Sequence, residues 1–147
     1  MHKRSMIIIR SQKGEQRSSL IRSISQLLIG TGQSPQFKYE ELGLRDNIAS
    51  IIQMDTLKLG VVAQVNEDDG LIKIVSDLLE NACDLIISVQ YGAEDKSVQR
   101  LTEFAEKKGV RTVVLESNWA EKLGVNFLRD DQNQVILDEI DLLLKNR

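Results

Sequence analysis

The sequence predicts a three-layer α/β/α sandwich, in which helices cover both faces of a mostly parallel sheet. Three observations lead to this fold class. Short apolar runs rich in β-branched residues recur along the chain, and such runs are typical of buried strands. Segments with apolar residues at helical spacing separate most of these runs. One link between two strand-like runs is too short for a crossover helix, which predicts an antiparallel strand at the edge of the sheet.

The first half of the chain supplies a strand, a helix and a hairpin. Residues 6–9 form an uninterrupted apolar run and are the first predicted strand, and a helix from about residue 17 to 29 follows. Residues 47–54 and 59–64 are predicted to pair antiparallel, because only four residues separate them. The second strand of this hairpin is expected beside the first strand of the chain.

The second half alternates helices with strands. The predicted elements are a helix that ends near residue 82, a strand over 83–89, a helix that starts at 95 or 97 and stops at Gly109, a strand over 111–116 and a closing helix over about 132–145. This alternation predicts parallel strands joined by helical crossovers.

Length and composition exclude several classes of protein. The 147 residues suit one domain over 1–147. Nineteen Lys and Arg against 22 Asp and Glu give a net charge of −3, which argues against nucleic acid as a general partner. One cysteine, Cys83, and one histidine, His2, exclude a Cys/His zinc site. Neither a membrane span nor a secretory signal is recognised, so no membrane partner and a cytoplasmic location are expected.

The passage with the most chemical information lies after the first strand and opens the first helix. Its candidate ligand-binding residues are Ser11, Lys13, Gly14, Glu15, Gln16, Arg17, Ser18 and Ser19. A phosphate-binding loop, G-x-x-x-x-G-K-[ST], occupies this position in other proteins. Its backbone N–H groups surround a phosphate while the Lys and the Ser/Thr hold phosphate and magnesium. Aligning Arg17 and Ser18 with the K-[ST] pair puts Ser11 and Gln16 on the two glycines.

With this loop and this order of elements, the chain resembles the P-loop nucleoside triphosphatases. More narrowly, it is similar to small P-loop-like proteins of unassigned function, whose loops have the form G-x-K-G-x-G-K-[ST]. The resemblance covers most of the chain and implies a P-loop type of sandwich that binds ATP or GTP with Mg²⁺. The loop would be a degenerate Walker A loop. Gln16 at positive φ costs about 1–2 kcal/mol, and the planar fork of Arg17 needs more room than a lysine ammonium.

A P-loop magnesium site also needs an acid at the end of a neighbouring strand. Gln64 ends one candidate strand, and the other offers Ser88 and Gln90, none of which is acidic. Asp68 follows Gln64 closely and is the candidate indirect metal ligand, with Ser18 as the hydroxyl ligand. Helix capping is the alternative role of Asp68.

Two functions follow from these residues. The first is a degenerate P-loop protein that binds a nucleotide or another phosphate ligand weakly, with little or no hydrolysis. The alternative is a non-catalytic protein-interaction module that has lost its ligand, with a protein partner or a second copy of the chain. Gly14 and Ser18 favour the first function, whereas Gln16, Arg17 and Gln64 favour the second.

Overall fold

The computed structural model describes residues 4–11, 38–44, 47–53, 57–64, 68–91, 95–120 and 125–145. The elements within these ranges are β1 (Ser5–Ser11), β2 (Lys38–Leu44), β3 (Asn47–Gln53), β4 (Lys58–Gln64), α1 (Asp68–Glu80), β5 (Leu85–Tyr91), α2 (Asp95–Lys107), β6 (Arg111–Glu116), β7 (Asn118–Ala120), β8 (Val125–Phe127) and α3 (Asp130–Lys145). The helix predicted over residues 17–29 lies outside the described residues.

Six strands form one sheet in the order β2-β3-β4-β5-β1-β6. Strands β4, β5, β1 and β6 are parallel, and β3 runs antiparallel to both of its neighbours. The predicted hairpin is therefore confirmed as β3 and β4. The first strand is also confirmed as an interior strand, since β1 lies between two parallel neighbours. Strands β7 and β8 pair separately and were not predicted.

Two predictions about the sheet are wrong. The antiparallel strand β3 does not lie at the edge, because β2 pairs along its outer side. The sequence of β2, KYEELGL, lacks a continuous apolar run and therefore gave no strand signal. The second hairpin strand, β4, does not lie beside β1, because β5 separates them. Helix α1 carries the chain from β4 directly to an adjacent parallel strand, and β5 takes that position.

Each face of the sheet carries its own apolar cluster. Side chains alternate along β1, so Met6 and Ile8 pack with α1 and α2 on one face, while Ile7 and Ile9 pack with α3 on the other. We call these the α1/α2 face and the α3 face. All four of these β1 side chains are fully buried, which explains the uninterrupted apolar run in the sequence. The three predicted layers are confirmed.

Candidate functional site

The four parallel strands end at one edge of the sheet, which we call the carboxyl edge. Helices α1 and α2 follow the carboxyl ends of β4 and β5, and open α/β sheets bind their ligands at this edge. Strand β1 ends here at Ser11, opposite Tyr91 of β5. The predicted phosphate loop therefore leaves the sheet at its carboxyl edge.

A row of polar residues crosses three strands at the carboxyl edge. Arg10 of β1 stands in register with Gln90 of β5 on one side and with Glu116 of β6 on the other. All three share the side-chain alternation of Met6 and Ile8, so they belong to the α1/α2 face. We call Gln90, Arg10 and Glu116 the polar row.

Gln90 brings a buried amide without a partner to this row. The residue is 3% exposed, and within the described part of the chain neither its side-chain oxygen nor its nitrogen makes a hydrogen bond. Ser88, two residues earlier on the same strand, is fully buried, and its hydroxyl has no partner among the same residues. Leaving a buried polar group unpaired costs about 1–3 kcal/mol. Such groups call for an explanation, and a bound water or ion is one of those known.

Arg10 gives the row its positive charge. Its guanidinium lies 3.6 Å from the Glu116 carboxylate, and the two side chains are 31% and 72% exposed. An ion pair this exposed contributes only about 0–1 kcal/mol. The exposure of this pair leaves the guanidinium within reach of an anionic ligand from solvent.

The backbone at the end of β6 is fixed by α3. The Gln132 amide donates to the Glu116 carbonyl and accepts a 3.0 Å hydrogen bond from the Arg129 N–H. The Ser117 N–H donates to the Arg10 carbonyl at 2.9 Å. These bonds hold the ends of β1 and β6 together, so the Arg10 and Glu116 side chains project from a rigid edge.

The structure places two of the sequence-predicted site residues. Ser11 ends β1, and Asp68 begins α1 after β4. Because β5 lies between β4 and β1, the end of β4 is two strand spacings from β1, roughly 9.5 Å. Asp68 thus begins a helix that follows a strand not adjacent to the predicted loop. The other candidates, Lys13, Gly14, Glu15, Gln16, Arg17, Ser18 and Ser19, lie outside the described residues.

Sequence reasoning found part of the row. Gln90, and Ser88 outside the row, stand out as polar residues in the apolar run of β5, and neither is acidic. Glu116 was missed. Its position opposite Arg10 follows only from the strand register, although both residues sit at or near the end of a strand in the sequence.

Other features of possible functional interest in the described ranges lie outside the polar row or are absent. These ranges contain no cluster of three His, Cys, Asp or Glu residues that could hold a metal ion. Burial raises the pKa of the Cys83 thiol from 9.0 to about 11, and this residue precedes the opposite end of β5. A helix long and apolar enough to cross a membrane is likewise absent from the described part of the chain.

Comparison with known proteins identifies the fold alone. No family model matches the chain, and no curated protein matches it. A de novo designed PLOOP2X3_50 fold protein, solved by solution NMR, is similar at 14% identity with a TM-score of 0.54. The alignment covers 98% of this chain and 96% of the designed protein. The chain therefore has a P-loop-like α/β fold.

Proposed function

We propose that this chain is a degenerate P-loop protein of the cytoplasm. It binds a nucleotide or another phosphate-bearing ligand weakly at the carboxyl edge of β1 and hydrolyses it slowly or not at all. The polar row carries this proposal. It puts Arg10 in register with Gln90, whose buried amide has no partner among the described residues, at the strand end from which the predicted phosphate loop leaves. The P-loop-like fold supports the same location.

The roles of the loop residues follow from the resemblance. The amides around Gly14 contact phosphate, and Arg17 neutralises its charge. Where the ligand is ATP or GTP with Mg²⁺, the Ser18 hydroxyl is the direct metal ligand in this proposal and Asp68 the indirect one.

Feeble hydrolysis is expected because the described strands on either side of β1 offer few acidic groups. Strand β5, the neighbour on one side, contains no Asp or Glu between Leu85 and Tyr91. Glu116, on the other neighbour, faces Arg10. Catalysis of phosphoryl transfer depends on charges positioned around the reacting phosphate. Triphosphate turnover should therefore fall below the ordinary enzymatic range of about 1–1,000 per second.

The test is a thermal-unfolding series with ATP, GTP, pyrophosphate and inorganic phosphate, each with and without Mg²⁺. A ligand at ten times its Kd adds about 1.4 kcal/mol of stability, which corresponds to a Tm increase of roughly 3–6 °C for a chain of this length. Arg10→Ala should abolish the increase. Lys145→Ala, which removes an equal charge from the far end of α3, should preserve it.

The interaction-module alternative makes the opposite prediction in the same series. A pseudo-enzyme that has lost its ligand shows no Tm increase with any of the four compounds, even at millimolar concentration. That result would overturn the proposed function in favour of a protein partner or a second copy of the chain.

A further inference from the structure

We infer that the polar row itself binds a phosphate oxyanion without a bridging divalent cation, with Gln90 and Arg10 as its protein partners. This inference rests on the proposed function and specifies its ligand as a metal-free phosphate oxyanion. It depends on the kinds of donor atom that the described residues bring to the edge beside β1.

Those donor atoms do not fit magnesium. Mg²⁺ binds through carboxylate and other oxygen ligands in a near-octahedral arrangement. On β5 the residue of the polar row is a neutral amide, Gln90, and the strand contains no carboxylate. The carboxylate that the row does contain, Glu116, lies 3.6 Å from the Arg10 guanidinium. A cation placed among these groups would be repelled by Arg10 and would gain no further negative charge from β5.

The same groups fit an oxyanion. Among the described residues, the Gln90 amide nitrogen is a hydrogen-bond donor without a partner. Arg10 adds a planar guanidinium, which suits phosphate oxygens. Because the Arg10 side chain is 31% exposed, a ligand can reach it from solvent. Gln90 is in register with Arg10 but only 3% exposed, so in this proposal the ligand contacts its amide through a bridging water.

The Gln90 amide also indicates which hydrogen-bonding groups the ligand, or a water bound with it, must present. Its oxygen is buried and has no hydrogen-bond partner in the described ranges. This oxygen needs a donor, which a fully ionised phosphate does not have. A phosphate hydroxyl, a sugar hydroxyl or a bound water can supply that donor. A carboxylate at this position would instead repel the phosphate, so the amide is the feature that separates oxyanion binding from metal binding here.

The primary experiment uses the wild-type chain and potassium pyrophosphate in isothermal titration calorimetry. One titration contains excess EDTA and the other contains Mg²⁺. We expect the Kd in EDTA to equal the Kd with Mg²⁺ within about twofold, or to be lower. This comparison requires no variant and therefore does not depend on the folding of one.

Two variants test the role of Gln90. Gln90→Met removes the amide and should weaken binding in EDTA about tenfold; its Tm without ligand should not fall, because two unpaired polar atoms disappear. Gln90→Glu should weaken binding in EDTA and make Mg²⁺ strengthen it. Asn81→Asp is the matched control, since it adds the same charge at the turn after α1, at the other end of the sheet, and should leave both Kd values unchanged.

The outcomes separate the two proposals. Binding by the wild type only in the presence of Mg²⁺, or unchanged affinity in Gln90→Met, would overturn the metal-free site and leave the proposed function standing. Failure of the wild type to bind pyrophosphate, ATP or GTP under either condition would overturn the proposed function itself, and the present inference with it.

Discussion

The hydroxyl of Ser5, at the start of β1, donates a 2.9 Å hydrogen bond to the carboxylate of Glu139 on α3. The other carboxylate oxygen lies 3.1 Å from the guanidinium of Arg111, at the start of β6. Ser5 and Glu139 are both buried. This contact joins α3 to the amino ends of two strands, at the edge opposite the polar row. It therefore stabilises the packing of α3 on the sheet at a place away from the candidate site, which lies at the carboxyl edge.

Replacement of Glu139 should separate stability from ligand binding. Glu139→Ala leaves the buried Ser5 hydroxyl unpaired and should lower the free energy of unfolding by about 1–3 kcal/mol in urea titrations. Glu139→Gln keeps an acceptor for Ser5 and should cost less, while pyrophosphate affinity should not change in either variant. If Ser5→Ala and Glu139→Ala have additive effects in a double-mutant cycle, the hydrogen bond contributes nothing.

The turns after α1 and α2 share one backbone geometry. Each contains a residue with positive φ, Ala82 at 64° and Gly109 at 71°. In both turns, the next residue donates its N–H to the carbonyl five positions earlier: Cys83 to Leu78 at 3.1 Å and Val110 to Ala105 at 2.9 Å. This is the Schellman arrangement, in which glycine is the favoured residue at the positive-φ position. This chain has glycine at that position in the turn after α2 and alanine in the turn after α1.

Exchange of glycine and alanine in these turns should have opposite effects. Gly109→Ala places a Cβ in open space, so its cost comes from the backbone and should be about 1–2 kcal/mol. Ala82→Gly relieves that strain, but its unfolded state gains entropy, which leaves a net gain of roughly 0.5–1 kcal/mol. Thermal unfolding of both variants measures this. A lower Tm for Ala82→Gly would contradict the argument.

Gly60 is required for close packing between β4 and α1. A Cβ at this position would lie 3.0 Å from one Leu78 methyl carbon, 3.1 Å from the other and 3.3 Å from the Cys83 sulfur. Because both neighbours are fully buried, Gly60→Ala should lower the free energy of unfolding by about 1–3 kcal/mol. Combining it with Leu78→Val, which removes the nearest carbon, should cost less than the sum of the single changes. Additive costs would show that another contact is responsible.

The buried thiol of Cys83 predicts a pH dependence of stability. Burial raises its pKa from 9.0 to about 11, so the unfolded chain loses this proton first as the pH rises. The stabilisation from the neutral thiol is complete below pH 9 and is lost as the pH approaches 11, by up to about 2.7 kcal/mol. The measurement is urea unfolding of the wild type and Cys83→Ala between these pH values, since Lys and Tyr titrations are common to both. Parallel curves would rule out the shift.

The sequence predicted strands whose two faces are both buried. It did not predict arrangements that depend on long-range strand pairing. Strand β1 was recognisable because both of its faces are buried. Strand β2 was not, because KYEELGL has no continuous apolar run. The position of β5 between β4 and β1 depends on long-range pairing, which local patterns do not report. For the same reason Gln90 was visible as a polar residue in an apolar strand, while its place beside Arg10 was not.

The last prediction concerns the degeneration of the phosphate loop. If the segment from Ser11 to Ser18 derives from a P-loop, Gln16→Gly should permit the backbone conformation that a phosphate requires. Arg17→Lys should then place a compact ammonium against that phosphate. The double variant should bind ATP about tenfold more tightly, a gain of about 1.4 kcal/mol that calorimetry resolves. Each single change should increase the affinity for ATP only slightly, because both act on one site.

The metal-free site sharpens this experiment. Because Gln90 remains in place of an acid, the repaired loop should gain affinity for ATP in EDTA as well as with Mg²⁺. Strong dependence on Mg²⁺ should require the further change Gln90→Glu. Glycine at position 16 also increases the conformational entropy of the unfolded chain. The Tm without ligand must therefore be measured to separate lost stability from lost affinity. If the double variant folds normally and does not bind ATP at millimolar concentration, the hypothesis of a degenerate phosphate loop loses its main support, and a polar turn at the start of a helix is the preferred interpretation.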